Sequence, residues 1–311
     1  MIWGLSVHSI HATIQRKHTI SHPSHMKEEN YMKTPHYLRE SLMALCLCLI
    51  VSCASEQLKS PEKQFTPQTG QEGKDVIWVP TPYELVEKML DLAEVTPDDY
   101  VIDLGSGDGR TVIAAAKRGV RALGIEYNPD MVELSKQNAK AERVSERARF
   151  IESDLFETDF SKATVITMFL LTEINLKLRP QILDLKPGTR IVSSTFRMGE
   201  WTPDDTATVD TANSTYYDTA LLWIVPAKVV GTWRFPEGTL TLKQEFQMIS
   251  GTLEAGGSAT PIENGRLRGD QLNFSAGGDQ YTGSVNGKTI EGTVIRTNGK
   301  NNTWNAVLVT N

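Results

Sequence analysis

The sequence predicts an α/β domain, a mostly parallel sheet with helices on both faces, followed by a small all-β domain. Three observations carry this. From about residue 76 to 227, apolar runs of strand length alternate with segments of helical period, as in successive β-α-β units. One run, Val101-Ile102-Asp103-Leu104, passes directly into Gly105-Ser106-Gly107-Asp108-Gly109-Arg110 and then an alanine-rich helical stretch. From residue 228 to 311 the composition changes to short alternating runs separated by Asn-Gly, Gly-Gly and Gly-Asp dipeptides, the punctuation of antiparallel hairpins.

Composition bounds the function. The chain has 311 residues and a formal net charge of -6. Residues 53–311 carry 27 Lys+Arg against 35 Asp+Glu, so this body has no basic footprint for nucleic acid. All three cysteines (Cys46, Cys48, Cys53) and all six histidines lie within the first 53 residues. The remainder cannot run a Cys/His pair, a Ser-His-Asp triad or a thiolate/imidazole zinc site.

The N-terminal 52 residues read as an upstream extension and a processing signal. Lys33 and Arg39 precede the apolar run Ser41 to Val51, which is too short to span a bilayer as a helix. It ends in Ile50-Val51-Ser52-Cys53, which resembles the lipobox of bacterial lipoproteins. That resemblance implies cleavage before Cys53, lipidation of Cys53, a membrane anchor and residence in the bacterial cell envelope. A chance cysteine or an uncleaved short anchor is the competing reading. Residues 1–31 do not look like a signal sequence, and Met32 is an expected start. Residues 53–75 are polar and read as a tether.

The main domain, 76–227, opens on Val79-Pro80-Thr81-Pro82, with Thr81 expected as N-cap and Pro82 in the first helical position. Leu85, Val86, Met89, Leu90 and Ala93 then share one helical face. After the glycine loop, Thr111 to Arg118 predicts a helix closed by Gly119. A strand over Ala122 to Ile125 ends at Glu126, where a carboxylate can accept both hydrogen bonds of a ribose diol. Tyr127 can lay its ring on an adenine. Asn128-Pro129-Asp130 caps the next helix, and Ala148 to Ile151 is a third strand, followed by Asp154 and Leu155. Thr164 to Leu171 is almost continuously apolar, as a strand buried on both faces should be. Helix 174–184, strand Arg190 to Phe196 and a late strand Thr219 to Val225 complete the domain.

The glycine spacing identifies the ligand class. Alternate glycines let a backbone turn sharply and approach a ligand, with helix N–H groups facing it. A dinucleotide fingerprint requires Gly-x-Gly-x-x-Gly, yet Arg110 stands where that pattern needs its third glycine. Asp103 two residues before Gly105-x-Gly107-x-Gly109 resembles motif I of the class I S-adenosylmethionine (SAM) methyltransferases. The resemblance implies a Rossmann-like class I sheet with SAM as cofactor, bound by Asp103, Gly105, Ser106, Gly107, Gly109, Glu126, Tyr127, Asp154 and Leu155. Asp154 holds the position that accepts from the adenine amino group. The tip of the strand ending near Leu171 borders the methyl group, which makes Phe169, Leu170 and Glu173 the expected pocket wall. No Asn/Asp-Pro-Pro-Tyr run stands there, which argues against nucleobase acceptors.

A narrower resemblance rests on Val79-Pro80-Thr81-Pro82, the glycine loop and Leu170-Leu171-Thr172-Glu173-Ile174-Asn175-Leu176-Lys177-Leu178-Arg179-Pro180. It is to the protein-lysine methyltransferases related to the mitochondrial ATP synthase c-subunit lysine methyltransferase, over about residues 76–205. It implies a protein partner whose lysine side chain is the methyl acceptor. Asn175 and Lys177 serve either as helix residues or as substrate contacts. Phe169, Phe196, Trp201 and Tyr83 are candidate aromatic walls that would desolvate a lysine amine and depress its pKa.

The C-terminal domain, 228–311, predicts an antiparallel barrel or sandwich of seven or eight strands. Its expected core is Trp233, Leu240, Leu242, Phe246, Leu272, Phe274, Ile290, Val294, Trp304 and Val307. Asn264-Gly265 is among its expected turns. No catalytic cluster is visible there. The whole reads as a lipid-anchored SAM-dependent methyltransferase. The competing reading is an exported binding lipoprotein that keeps the fold without turnover, because SAM is a cytoplasmic metabolite and a lipoprotein is exported.

Overall fold

The computed structural model describes residues 65–209 and 217–309. Its first layer is a seven-stranded sheet. In chain order the elements are α1 (Tyr83–Leu92), β1 (Tyr100–Leu104), α2 (Arg110–Lys117), β2 (Arg121–Glu126), α3 (Pro129–Ala141), β3 (Ala148–Glu152), β4 (Val165–Met168), α4 (Thr172–Leu183), β5 (Arg190–Ser194), β6 (Asp205–Thr208) and β7 (Thr219–Ile224). The strand order is β3-β2-β1-β4-β5-β7-β6. The first five strands run parallel, and β7 pairs antiparallel with both β5 and β6.

Both faces are covered, which explains why the strands read as nearly continuous apolar runs. Side chains alternate across the sheet with period two. Val101, Ala122, Val165 and Val192 pack under α1, α2 and α3, with Leu85, Met89, Val112, Ala115 and Val132. Ile102, Ile125, Ile166 and Ile191 face the other way, toward α4 residues Ile174, Leu178 and Ile182. The order reverses between β1 and β4, so a crevice opens outside the C-terminal ends of these strands.

Several local expectations are corrected. Pro82, not Thr81, holds the N-cap of α1, and no side chain caps that end. The Thr81 carbonyl instead accepts from Arg110 Nη1 at 2.8 Å. Residues 205–208 form edge strand β6, between the expected strands Arg190 to Phe196 and Thr219 to Val225. Part of the segment read as a tether, 71–75, lies against the crevice.

The second layer is a closed barrel of eight strands: β8 (Gly231–Phe235), β9 (Gly238–Glu245), β10 (Met248–Ala255), β11 (Ser258–Arg268), β12 (Gln271–Ala276), β13 (Asp279–Asn286), β14 (Thr289–Ile295) and β15 (Asn301–Leu308). Trp233, Leu240, Leu242, Leu272, Phe274, Ile290 and Val294 fill it. Asn264-Gly265 is not a turn. The register of β11 against β12 slips between Glu263 and Arg266, with Asn264 at φ 53°, so this dipeptide makes a bulge within one strand.

Two expected barrel residues lie elsewhere. Val307 is exposed, and Phe246 stacks on Trp201 at 5.7 Å and 8°. Trp201 is fully buried and also meets Trp223, so it belongs to the core rather than to an acceptor pocket. Around this stack the barrel is fastened to the sheet. Gln247 Nε2 donates to the Thr202 carbonyl at 2.8 Å. Asp204, with a side chain 0% exposed, accepts from Arg266 at 2.7 Å and from the Ile224 N–H at 2.8 Å.

Removing that carboxylate leaves a buried N–H and a half-buried guanidinium unpaired, which costs about 2 to 3 kcal/mol. Asp204→Ala is expected to destabilise the full chain by that amount in urea unfolding. An unchanged midpoint would show that the fastening carries no stability.

Candidate active site

The crevice is built by backbone geometry at the end of β1. Gly105, Gly107 and Gly109 hold φ of 75°, 54° and 83°, values that favour glycine. Space is equally restrictive: a Cβ on Gly107 would lie 2.6 Å from Trp78 Nε1, and one on Gly105 3.1 Å from Leu170 Cδ2. The loop is held from below by α3, where Ser135 Oγ donates to the Gly107 carbonyl at 2.8 Å and Asn138 Nδ2 to the Asp108 carbonyl at 2.9 Å. Arg110 closes its end, donating to both Asp108 carboxylate oxygens and to the Thr81 carbonyl. The residue that breaks a dinucleotide fingerprint is therefore the staple between the loop and the segment ahead of α1.

The structure brings Asp103, Gly105, Ser106, Gly107, Glu126, Tyr127, Asp154, Leu155, Phe169 and Leu170 to the lining of one cleft. Two expected residues are not there. Gly109 lies under the loop at the start of α2, where a Cβ would meet Phe150 at 2.8 Å, so its smallness serves packing. Glu173 is exposed in the first turn of α4 while its neighbour Ile174 lines the cleft. One residue along a helix is a rotation of about 100°, and that rotation turns Glu173 outward. Cys53 lies outside the described residues.

Each strand-tip acid has distinct partners. Asp103 is buried and accepts from Thr167 Oγ1 at 2.6 Å. Burial pushes its carboxyl up to about 7, opposed by the Thr167 hydrogen bond and assisted by the charges of Glu126 and Asp108. Glu126 accepts from the Gly107 N–H at 2.8 Å and the Asn128 N–H at 3.0 Å, which fixes its carboxylate beside the loop with lone pairs to spare. Asp154 accepts from the Phe156 N–H at 2.9 Å and pairs with Lys74. The Lys74 hydrogen bond, with that of Phe156, holds the Asp154 carboxyl below its ordinary range.

At the tip of β4, Phe169 meets Phe196 at 5.9 Å and Tyr217 at 5.1 Å, an aromatic cluster beside the cleft. Tyr83, another candidate wall, is exposed and carries the Arg110 guanidinium over its ring. Asn175 is buried and donates to the carbonyls of Phe196 and Arg197, tying α4 to the turn after β5. Lys177 lies over the Phe156 ring.

Sequence reasoning missed the wall formed by Gln71 to Thr81, all of which lines the cleft. Its only signal was Ile77-Trp78, apolar residues in a polar stretch just before Pro80.

The cleft fits SAM on its own chemistry. It is open at its mouth and measures about 1090 Å³ with that open space included. Its floor is a glycine backbone, and its strand tips present acceptors for a cationic ligand with a diol and an amino group. The Ser106 hydroxyl is buried with no hydrogen-bond partner among the described residues, and it sits where a Cβ on Gly124 would meet it at 2.5 Å.

Titration of Asp103 makes the fold pH-sensitive. The folded value of about 7 exceeds the ordinary 3.8 of this carboxyl, so the fold binds this proton more tightly than the unfolded chain does. That stability is full below about pH 4 and is lost as pH rises through about 7. Relative to Asp103→Asn, the unmodified protein is expected to lose about 3 kcal/mol between pH 5 and pH 8 in urea unfolding. A pH-independent difference would contradict the buried, proton-binding state.

Comparison with known proteins agrees with this geometry. A family model described as ANTKMT methyltransferase domain matches residues 103–205. A second, described as DNA methylase, matches residues 12–137; that stretch includes the glycine loop but ends inside α3, before β3 and β4. The chain is 41% identical over 153 residues to the protein-lysine N-methyltransferase of Saccharolobus islandicus (strain REY15A), covering 48% of this chain and 94% of that protein. It is 39% identical over 105 residues to the human ATP synthase c-subunit lysine N-methyltransferase, covering 33% of this chain and 45% of that relative. The chain thus spans less than half the length of the human enzyme. A solved structure described as an RNA methyltransferase from Salinibacter ruber, in complex with S-adenosyl-L-homocysteine, is 46% identical, covering 49% of this chain and 96% of that chain with a TM-score of 0.45. On the match to nearly the whole Saccharolobus enzyme, and with the motif I cleft in place, the chain belongs to the protein-lysine N-methyltransferases, whose methyl donor is SAM.

Proposed function

We propose that this protein methylates the ε-amine of a lysine in a protein substrate, and that it does so at the bacterial cell envelope, held there by a lipid on Cys53. The observation that carries the catalytic part is the convergence of the glycine loop, three strand-tip acids and the Phe169 wall on one cleft.

When bound, SAM supplies a methyl group activated by a sulfonium. Gly105 and Gly107 offer backbone against it, Glu126 is positioned for the ribose diol, Asp154 and Tyr127 for the adenine, and Asp103 for the nearby positive charge. The acceptor amine enters at the tip of β4. There Phe169 and Leu170, backed by Phe196 and Tyr217, withdraw it from water, which favours loss of its proton and leaves the nitrogen lone pair free to attack in line. On transfer the amine would carry a methyl group in place of a proton, as the sulfonium's S–CH3 bond broke and the neutral thioether left. No side chain needs to act as nucleophile, consistent with the absence of cysteine and histidine beyond residue 53.

The envelope part is supported by the apolar run ending in Ile50-Val51-Ser52-Cys53. These residues lie outside the described part of the chain.

Two measurements test these parts separately. Calorimetric titration of SAM into the full chain is expected to give binding that is lost or weakened at least tenfold in Glu126→Ala. Because Asp103 titrates near 7 and its ionised form suits a cationic ligand, affinity should rise about tenfold from pH 6 to pH 8. Asp103→Asn should lack that rise. No heat from the unmodified protein, or a flat profile, would contradict the assignment. Mass measurement of the native N-terminus is expected to show a diacylglyceryl adduct on Cys53, and an unmodified Cys53 in a longer chain would remove the anchor.

A further inference from the structure

The segment ahead of α1 is folded back on itself over the cleft. The Gly70 N–H donates to the Trp78 carbonyl at 2.8 Å, the Trp78 N–H to the Gln71 carbonyl at 2.9 Å, and the Gln71 N–H to the Gln68 carbonyl at 2.9 Å. One end of this strap is seated by the Trp78 indole on Gly107. The other end carries Lys74, whose ammonium pairs with Asp154 Oδ2 and lies 4.6 Å from the centroid of the Tyr127 ring.

That juxtaposition bears on the cofactor. Tyr127 offers the apolar face for a purine, and Asp154 is the acceptor for its amino group. One side chain of this chain covers both. A carboxylate has lone pairs for more than two donors, but the ammonium lies over the ring face that a purine would use, at 4.6 Å from its centroid. The ammonium is also the stronger donor, because its hydrogen bond is charge-assisted. Asp154 in turn raises the pKa of Lys74, so Lys74 stays charged and is no methyl acceptor in this position.

We propose that Lys74 is a built-in competitor for the adenine end of the cleft: it covers Asp154 and Tyr127 until an adenine-bearing ligand displaces it from both. This rests on the reading of the cleft as the SAM site and adds a residue that sets its affinity and its salt dependence.

The test is a set of dissociation constants for S-adenosylhomocysteine and adenosine, measured calorimetrically on the full chain. Lys74 is exposed enough for its replacement to leave the fold intact, and its pair is partly solvated, so the effect is modest. Lys74→Ala should bind both ligands about two- to fivefold more tightly at low salt. The gain should fade toward 0.5 M NaCl, where the Debye length falls to roughly 4 Å. Lys74→Arg should match the unmodified protein, and in an Asp154→Asn background, where the ion pair is already gone, Lys74→Ala should have a smaller effect. Weaker binding by Lys74→Ala would overturn the proposal, since Lys74 would then be a ligand contact. A salt-independent gain, or an equal gain in the Asp154→Asn background, would overturn it as well. If neither ligand bound any variant, the cofactor reading itself would fall, an outcome distinct from unequal affinities of the wrong sign.

Discussion

Gly105 and Gly107 hold left-handed backbone at the end of β1, where a Cβ would crowd Leu170 and Trp78 respectively. Most of the site depends on this pair of turns. They let the chain leave the sheet at the point where strand order reverses, so the loop faces the crevice rather than capping it. They aim the Gly107 N–H at Glu126, which orients a carboxylate from the next strand. They also deliver Arg110 to Asp108 and to the Thr81 carbonyl, tying the wall ahead of α1 to the loop. A side chain at either glycine would therefore disturb the floor, the acid on β2 and the outer wall together.

The acidic character of the cleft follows from topology. Parallel strands end on the same side, so Asp103, Glu126 and Asp154, each at or just beyond a strand tip, gather without any long-range coincidence in the sequence. Their environments then diverge. Asp103 is buried on the cleft floor and binds a proton at moderate pH; Glu126 is held by two backbone N–H groups; Asp154 is matched by Lys74. On the proposed reading, a cationic ligand would relieve the first, and a purine would displace the cation from the third. The barrel contributes at a distance. By stacking Phe246 on Trp201 and pairing Arg266 with Asp204, it steadies the segment that continues from Phe196, and so the aromatic cluster beside the cleft.

The parts legible in the sequence were those set by local pattern. Strand-helix alternation, the glycine spacing with Asp103 two residues ahead of it, and Glu126 and Asp154 just after the next two strands specified the sheet and the crevice, and dipeptide punctuation specified a barrel-like domain. What escaped depends on phase or on distant partners. Glu173 and Ile174 are neighbours in sequence and differ only in which way α4 is rotated. Asn264-Gly265 has the composition of a turn, yet its place inside β11 is decided by pairing on both sides. Trp201 and Phe246 are each plausible core residues of their own domains, and only the docking of barrel on sheet joins them. The wall 71–75 is polar although it lines the cleft, and its composition is indistinguishable from that of a tether.

The most direct measurement is a crystal structure of the full chain with S-adenosylhomocysteine. The ribose is expected on Glu126, the purine between Tyr127 and Asp154, and Lys74 moved off Asp154. A ligand seated elsewhere, or a purine bound with Lys74 still on Asp154, would contradict this reading of the cleft.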